Sequence, residues 1–125
     1  MKIVDSSFLV EAILKRKELL EEDLLLTVDL AIYEAANSIW KHQVLLKDLG
    51  DGLPYLSILL GLIESGRIRL VSPGKELMEK AYSIATRNRR SFYDAIFIAL
   101  ALQLGSRLDT FDKGQTELLA KEGNR

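Results

Sequence analysis

Cysteine is absent from the 125 residues. That excludes disulfides, thiolate metal sites and a cysteine nucleophile, and it suits a reducing compartment. Histidine occurs once, at His42, so no Ser–His–Asp relay is credible, and a lone helical histidine reads as structural or exposed. Long apolar runs are missing too. The longest, around Leu53–Ile63 and Phe92–Leu102, fall well short of the ~20 residues that span a bilayer. The N-terminal MKIVDSSFLV carries one Lys, and an Asp interrupts its short apolar stretch, so it does not read as a secretion signal. There is no repeat period, no low-complexity tract and no glycine-rich phosphate loop. The expectation is one soluble, cytoplasmic domain over residues 1–125.

A basic excess is also lacking: 17 Lys and Arg stand against 18 Asp and Glu, for a net charge of −1. A protein that grips nucleic acid through a broad basic face shows a clear positive excess. If RNA is the substrate, metal ions must offset the acids, or basic residues must be locally concentrated. What the chain does have is apolar content: 48% of residues are hydrophobic, enough for a core, and 28% are charged, enough for a soluble surface.

The patterning alternates strands and helices. Lys2–Val4 reads as a strand that runs into a turn at Asp5-Ser6-Ser7 and a helix to about Arg16. Residues 18–22 read as a helical or polar connector, and Leu24–Val28 as a second buried strand. A helix follows from Leu30 to about Lys47, with Asp29 as its N-cap and Trp40 in the core or on a dimer surface. Gly50-Asp51-Gly52 breaks the chain, and Pro54 suits the first turn of a helix ending near Gly66. Arg67–Val71 reads as a third strand. Lys75–Asn88 reads as a helix with Leu77, Met78, Ala81, Ile84 and Ala85 inward. Phe92–Leu104 is a nearly all-apolar helix stopped by Gly105. Residues 106–109 form a fourth strand, and Asp112 to about Ala120 a last helix. Such alternation implies an α/β fold with a parallel sheet, whose sites gather at the carboxyl ends of strands.

Acids fall at those places. Asp5 follows the first strand, Glu34 lies one turn into the helix after the second, and Asp109 and Asp112 follow the fourth. Asp94 is the only charge in the helix Phe92–Leu102. A carboxylate in a helix that is apolar all round is costly unless it is capped, protonated or metal-bound. Ser91 three residues earlier allows a capping box, and capping and metal binding are compatible. Each acid alone also has an ordinary reading: Asp5 and Asp112 as helix caps, Glu34 as a solvated helix position. Together they fit a hard divalent cation, which takes oxygen ligands and lets several carboxylates stay ionised side by side. Such an ion activates water and stabilises phosphate charge during in-line displacement. Arg87-Asn88-Arg89-Arg90 is the densest basic run. It suits either the dipole at a helix C-terminus or an RNA phosphate. Lys15-Arg16-Lys17 reads as a solvated helix end.

On four segments the chain resembles a PIN domain of the VapC toxin type: Ile3-Val4-Asp5-Ser6-Ser7, Ala31-Ile32-Tyr33-Glu34-Ala35-Ala36-Asn37, Ser91-Phe92-Tyr93-Asp94-Ala95 and Thr110-Phe111-Asp112-Lys113. Their order and spacing fit along essentially the whole chain. The resemblance implies a doubly wound α/β fold with strand order near 3-2-1-4-5; the chain stops at Arg125, so the expected order is 3-2-1-4 with the fifth strand missing. It implies a Mg²⁺- or Mn²⁺-dependent endoribonuclease cutting single-stranded or looped RNA, a cognate antitoxin partner and a homodimer. It assigns metal binding to Asp5, Glu34, Asp94 and Asp112, and supporting roles to Ser6, Asn37 and Thr110; Arg87, Arg89 and Arg90 are the candidates for RNA contact. Asp109 replaces a usually apolar residue and reads as a supporting or strand-end group. Three alternatives compete: a PIN nuclease of RNA processing or quality control, a PIN module that binds without cutting, and a receiver domain. The receiver needs an acceptor aspartate after the third strand, where this chain has Ser72-Pro73-Gly74.

Overall fold

A computed structural model describes all residues, 1–125. Four parallel strands, β1 (Lys2–Val4), β2 (Leu25–Val28), β3 (Ile68–Val71) and β4 (Leu108–Asp109), form one sheet in the order β3-β2-β1-β4. No fifth strand is present. The six helices are α1 (Ser6–Leu14), α2 (Leu30–Val44), α3 (Leu53–Glu64), α4 (Lys75–Asn88), α5 (Phe92–Leu104) and α6 (Lys113–Gly123). A 3-10 turn, Lys17–Leu20, occupies the connector before β2.

Helices cover both sides of the sheet. Ile3 and Val4 point to opposite faces, and both are fully buried. α1, α2 and α3 pack against one another, and α5 packs against both α4 and α6. α5 is the central helix of the second group: Ala95 to Ala101 are all buried, and it touches β1, β2 and β4. Gly105 ends it in the left-handed conformation at φ 61°, which favours glycine.

The chain winds outward from β1 to β2 and β3, then returns to place β4 on the other flank of β1. That reversal opens a crevice beyond the carboxyl ends of β1 and β4. Asp5 directly follows β1 and caps α1; Asp112 follows β4 and caps α6.

Some local expectations change. Asp29 stands at the start of α2 but makes no side-chain cap, because its backbone is already helical. Met78 is exposed, since α4 turns only Leu77, Ala81, Ile84 and Ala85 inward. Trp40 is half-exposed and belongs to no core. Lys2 is buried: its ammonium lies 3.0 Å from Asp109 Oδ2 and 3.3 Å from Glu22, over the Phe8 ring. Asp109, also held by Arg107 at 2.7 Å, thus neutralises a buried lysine at the strand end.

Candidate active site

Asp5 is the most firmly held of the acids. It is 4% exposed. Its Oδ1 accepts from the Phe8 N–H (3.1 Å) and the Ser7 hydroxyl (2.6 Å), and its Oδ2 accepts from the Thr110 hydroxyl (2.5 Å). Each hydroxyl gives its single proton to Asp5 and accepts a backbone N–H in return: Ser7 from Phe111 (2.9 Å), Thr110 from Asp112 (3.0 Å). Two hydroxyls therefore tie the β1–α1 turn to the β4–α6 turn. Phe111 strengthens the tie by stacking on Phe8, with ring centroids 5.9 Å apart, while the Arg16 guanidinium lies 4.7 Å above it.

Asp112 caps α6 through Oδ1, which accepts from the N–H groups of Gly114 (2.8 Å) and Gln115 (3.3 Å); Oδ2 keeps no hydrogen bond. Asp94 begins α5. Its N–H donates to Ser91 Oγ at 3.1 Å, and Arg90 reaches its Oδ2 at 3.3 Å. Capping and acid placement thus coexist at one residue. Arg90 also donates to the Gly114 carbonyl at 3.1 Å, joining α5 to the start of α6. Gly114 makes room for this: a Cβ there would come within 2.6 Å of the guanidinium.

Glu34 differs from the others. Its Oε1 is buried and has no hydrogen-bond partner. Burial pushes its pKa up from the ordinary glutamate value; the charges of Asp5 and Asp94 push the same way, and the Ser6 hydroxyl opposes them. The structure thereby brings Asp5, Glu34 and Asp94 into one electrostatic neighbourhood, with Asp112 joined to Asp5 through Thr110. As the side chains lie, no three of them enclose an ion. The donor set nevertheless fits a hard divalent cation: all donors are carboxylate oxygens, one is buried without a partner, and the mutual repulsion needs a positive charge to relieve it.

The supporting residues are partly redistributed. Ser7, which sequence reasoning passed over, holds Asp5, while Ser6 acts on Glu34. Thr110 donates to Asp5. Asn37 is exposed and makes no hydrogen bond to the acids. Arg87 is engaged elsewhere: its guanidinium pairs with the Glu122 carboxylate, whose side chain is 1% exposed. Arg89, in the left-handed conformation at the end of α4, is exposed, and Arg90 stands beside Asp94. His42 bonds Asp48 at 2.9 Å, away from the acids.

Comparison with known proteins bears on the family and the fold. The PIN domain family profile matches residues 2–120. Ribonuclease VapC3 of Pyrobaculum aerophilum is 33% identical over 94 residues, covering 73% of this chain and 68% of the relative. The crystal structure of PAE2754 from Pyrobaculum aerophilum superposes with a TM-score of 0.74 at 26% identity, over 96% of this chain and 84% of that one. VapC20 of Mycobacterium tuberculosis, a sarcin-ricin loop cleaving toxin, superposes at 0.72 over 94% of both chains; at 18% identity this likeness speaks for the fold alone.

Proposed function

The chain belongs to the PIN-domain family, and from that premise we propose that it is a metal-dependent endoribonuclease, the toxin of a toxin–antitoxin pair. The kinship with a ribonuclease VapC carries the activity. The observation that carries the metal dependence is Glu34, whose buried, unpartnered oxygen faces the field of Asp5 and Asp94. Single-stranded or looped RNA is the substrate class, and the partners are a cognate antitoxin and a second copy of the chain.

Each residue then has a role. Asp5, Glu34, Asp94 and Asp112 would hold Mg²⁺ or Mn²⁺. When bound, the ion would offset the acids' charge, lower the pKa of water at the scissile bond and stabilise charge on the phosphate. Ser7 and Thr110 fix the rotamer of Asp5, so its carboxylate need not reorganise when substrate arrives. Arg90 restrains Asp94 and, with exposed Arg89, offers cationic charge next to the acids for an RNA phosphate. Glu34 Oε1, the one of its oxygens held out of water without a partner, is kept as an acceptor for the site.

Cleavage of a labelled single-stranded RNA pool in Mg²⁺, Mn²⁺ and EDTA tests the reading, with Asp94→Asn alongside. The expected result is metal-dependent cleavage lost on substitution. Cleavage that survives both EDTA and Asp94→Asn contradicts it.

A further inference from the structure

We propose that the open groove between α1 and α2 is the subsite that holds the single-stranded RNA backbone to one side of the cut, with Lys15 and His42 as its far anchors. This rests on the ribonuclease reading and says where that substrate lies.

The groove has a volume of about 390 Å³ and reaches a residue that contacts Asp5. Ser6 and Ser7 line its near end; Ser7 bonds Asp5, and Ser6 acts on Glu34. Ser38 and Phe111 line it further along, and Lys15 and His42 at the far end. A smaller cavity of about 160 Å³ shares Lys15 and His42 and continues to Asp48. α1 and α2 each follow a strand of one parallel pair, so they run away from the acids together. On α2 the residues concerned, Glu34, Ser38 and His42, recur every fourth position and share a face. From Ser6 to Lys15 the helical rise is about 13 Å, more than one nucleotide's length, so the scissile phosphate and Lys15 can engage different phosphates of one strand.

The charges suit that ligand. Of the acids lining this path, Glu11 is paired with Arg16 at 3.5 Å, and Asp48 is hydrogen-bonded to His42 at 2.9 Å. Lys15 is exposed and has no acidic partner. Asp48 engages His42 through Nδ1, which leaves Nε2 for a ligand. The Ser38 hydroxyl, an unpaired ammonium and an imidazole nitrogen are groups that contact phosphate oxygens and 2′-hydroxyls. The placement also answers a difficulty of composition. A chain of net charge −1 has no broad basic face, but it needs cations only along the strand's path.

The test measures binding of a short labelled single-stranded RNA to Asp94→Asn protein across a salt series. Adding Lys15→Ala should weaken binding roughly 3–10-fold and reduce the log–log salt slope by about 0.7, as loss of one phosphate contact to a single strand does. His42→Gln, on the opposite wall, should weaken binding with less change of slope. Lys75→Ala, a remote exposed lysine on α4, should change neither. Parent-like affinity and slope in Lys15→Ala and Lys15→Glu overturn the subsite, as does failure of the Asp94→Asn protein to bind RNA. Wild-type cleavage is scored separately. Metal-dependent cleavage with Lys15-independent binding overturns the groove alone; Lys15-dependent binding without cleavage overturns the nuclease reading alone.

Discussion

Glu34 and Glu122 are both helical glutamates that turn carboxylate oxygen into the protein, and the fold treats them in opposite ways. Glu122 is fully satisfied: Arg87 pairs with it through two nitrogens, and Asn88 donates to it at 2.6 Å. The Arg87 hydrogen bond holds its pKa below the ordinary glutamate value despite burial. Glu34 keeps a buried oxygen with no partner, and burial and like charges push its pKa up. At neutral pH one carboxylate stabilises the fold, and the other is retained at a cost to it. A buried polar group left unpaired calls for an explanation other than stability.

Four experiments can break or sharpen that contrast. The largest effect falls on activity at the acids. Asp5→Asn and Asp94→Asn should each lower the cleavage rate by roughly 10²–10⁴-fold or more. Asp94→Asn should do so without lowering the melting temperature, Asp5→Asn with some loss of it, because an amide NH₂ cannot accept a hydroxyl proton from Ser7 or Thr110. Glu122→Gln, by contrast, should leave turnover per folded molecule unchanged. Next come the hydroxyls. Ser7→Ala and Thr110→Val should each reduce metal affinity or activity by roughly 10–100-fold, the range for groups that orient a ligand, measured as a shift in Mn²⁺ dependence.

Third, Glu122→Ala should lower the melting temperature by roughly 5–10 °C, because it leaves the Arg87 guanidinium unpaired and removes one of the two acceptors of Asn88 Nδ2. The stability that the Glu122 pair provides is present above the ordinary glutamate value of 4.5. It should fade as pH falls through the lower folded pKa, so the gap between wild type and variant should close in acid. The smallest effect is Gly114→Ala. The new Cβ displaces the flexible Arg90 guanidinium from the Gly114 carbonyl, so activity should fall a few-fold while melting changes little.

Much of this was legible in the sequence because strands announce their own ends. Asp5 and Asp112 follow β-branched or apolar runs, and Asp94 stands out as the lone charge in an apolar helix. The Lys75–Asn88 and Phe92–Leu104 helices were bounded by a Pro-Gly loop and a closing glycine, and they fold over those residues. What stayed hidden depends on partners distant along the chain. Ser6 and Ser7 are adjacent hydroxyls, and only the packing of α1 against residues 110–112 selects Ser7 for Asp5. Glu122 lies in a polar tail, Ala120-Lys121-Glu122-Gly123, and nothing local shows that it meets Arg87, 35 residues earlier. Arg87 therefore read as one more member of a basic run. Lys2 read as the first residue of a strand, and Asp109 as an oddity, until the β1–β4 pairing put them together.

The most direct test of the central claim, that Glu34 is held unsatisfied for a cation, is the melting temperature of wild type and Glu34→Gln against pH, in EDTA and in Mn²⁺. Because the folded chain binds the Glu34 proton more tightly than the unfolded chain does, ionisation costs stability as pH rises above 4.5 toward the raised folded value. In EDTA at pH 7 the account predicts that Glu34→Gln melts higher than wild type, with the two curves converging in acid. Mn²⁺ should raise the wild-type melting temperature and leave the variant nearly unmoved. A variant that melts lower than wild type in EDTA at pH 7, or an equal response of both proteins to Mn²⁺, would contradict it.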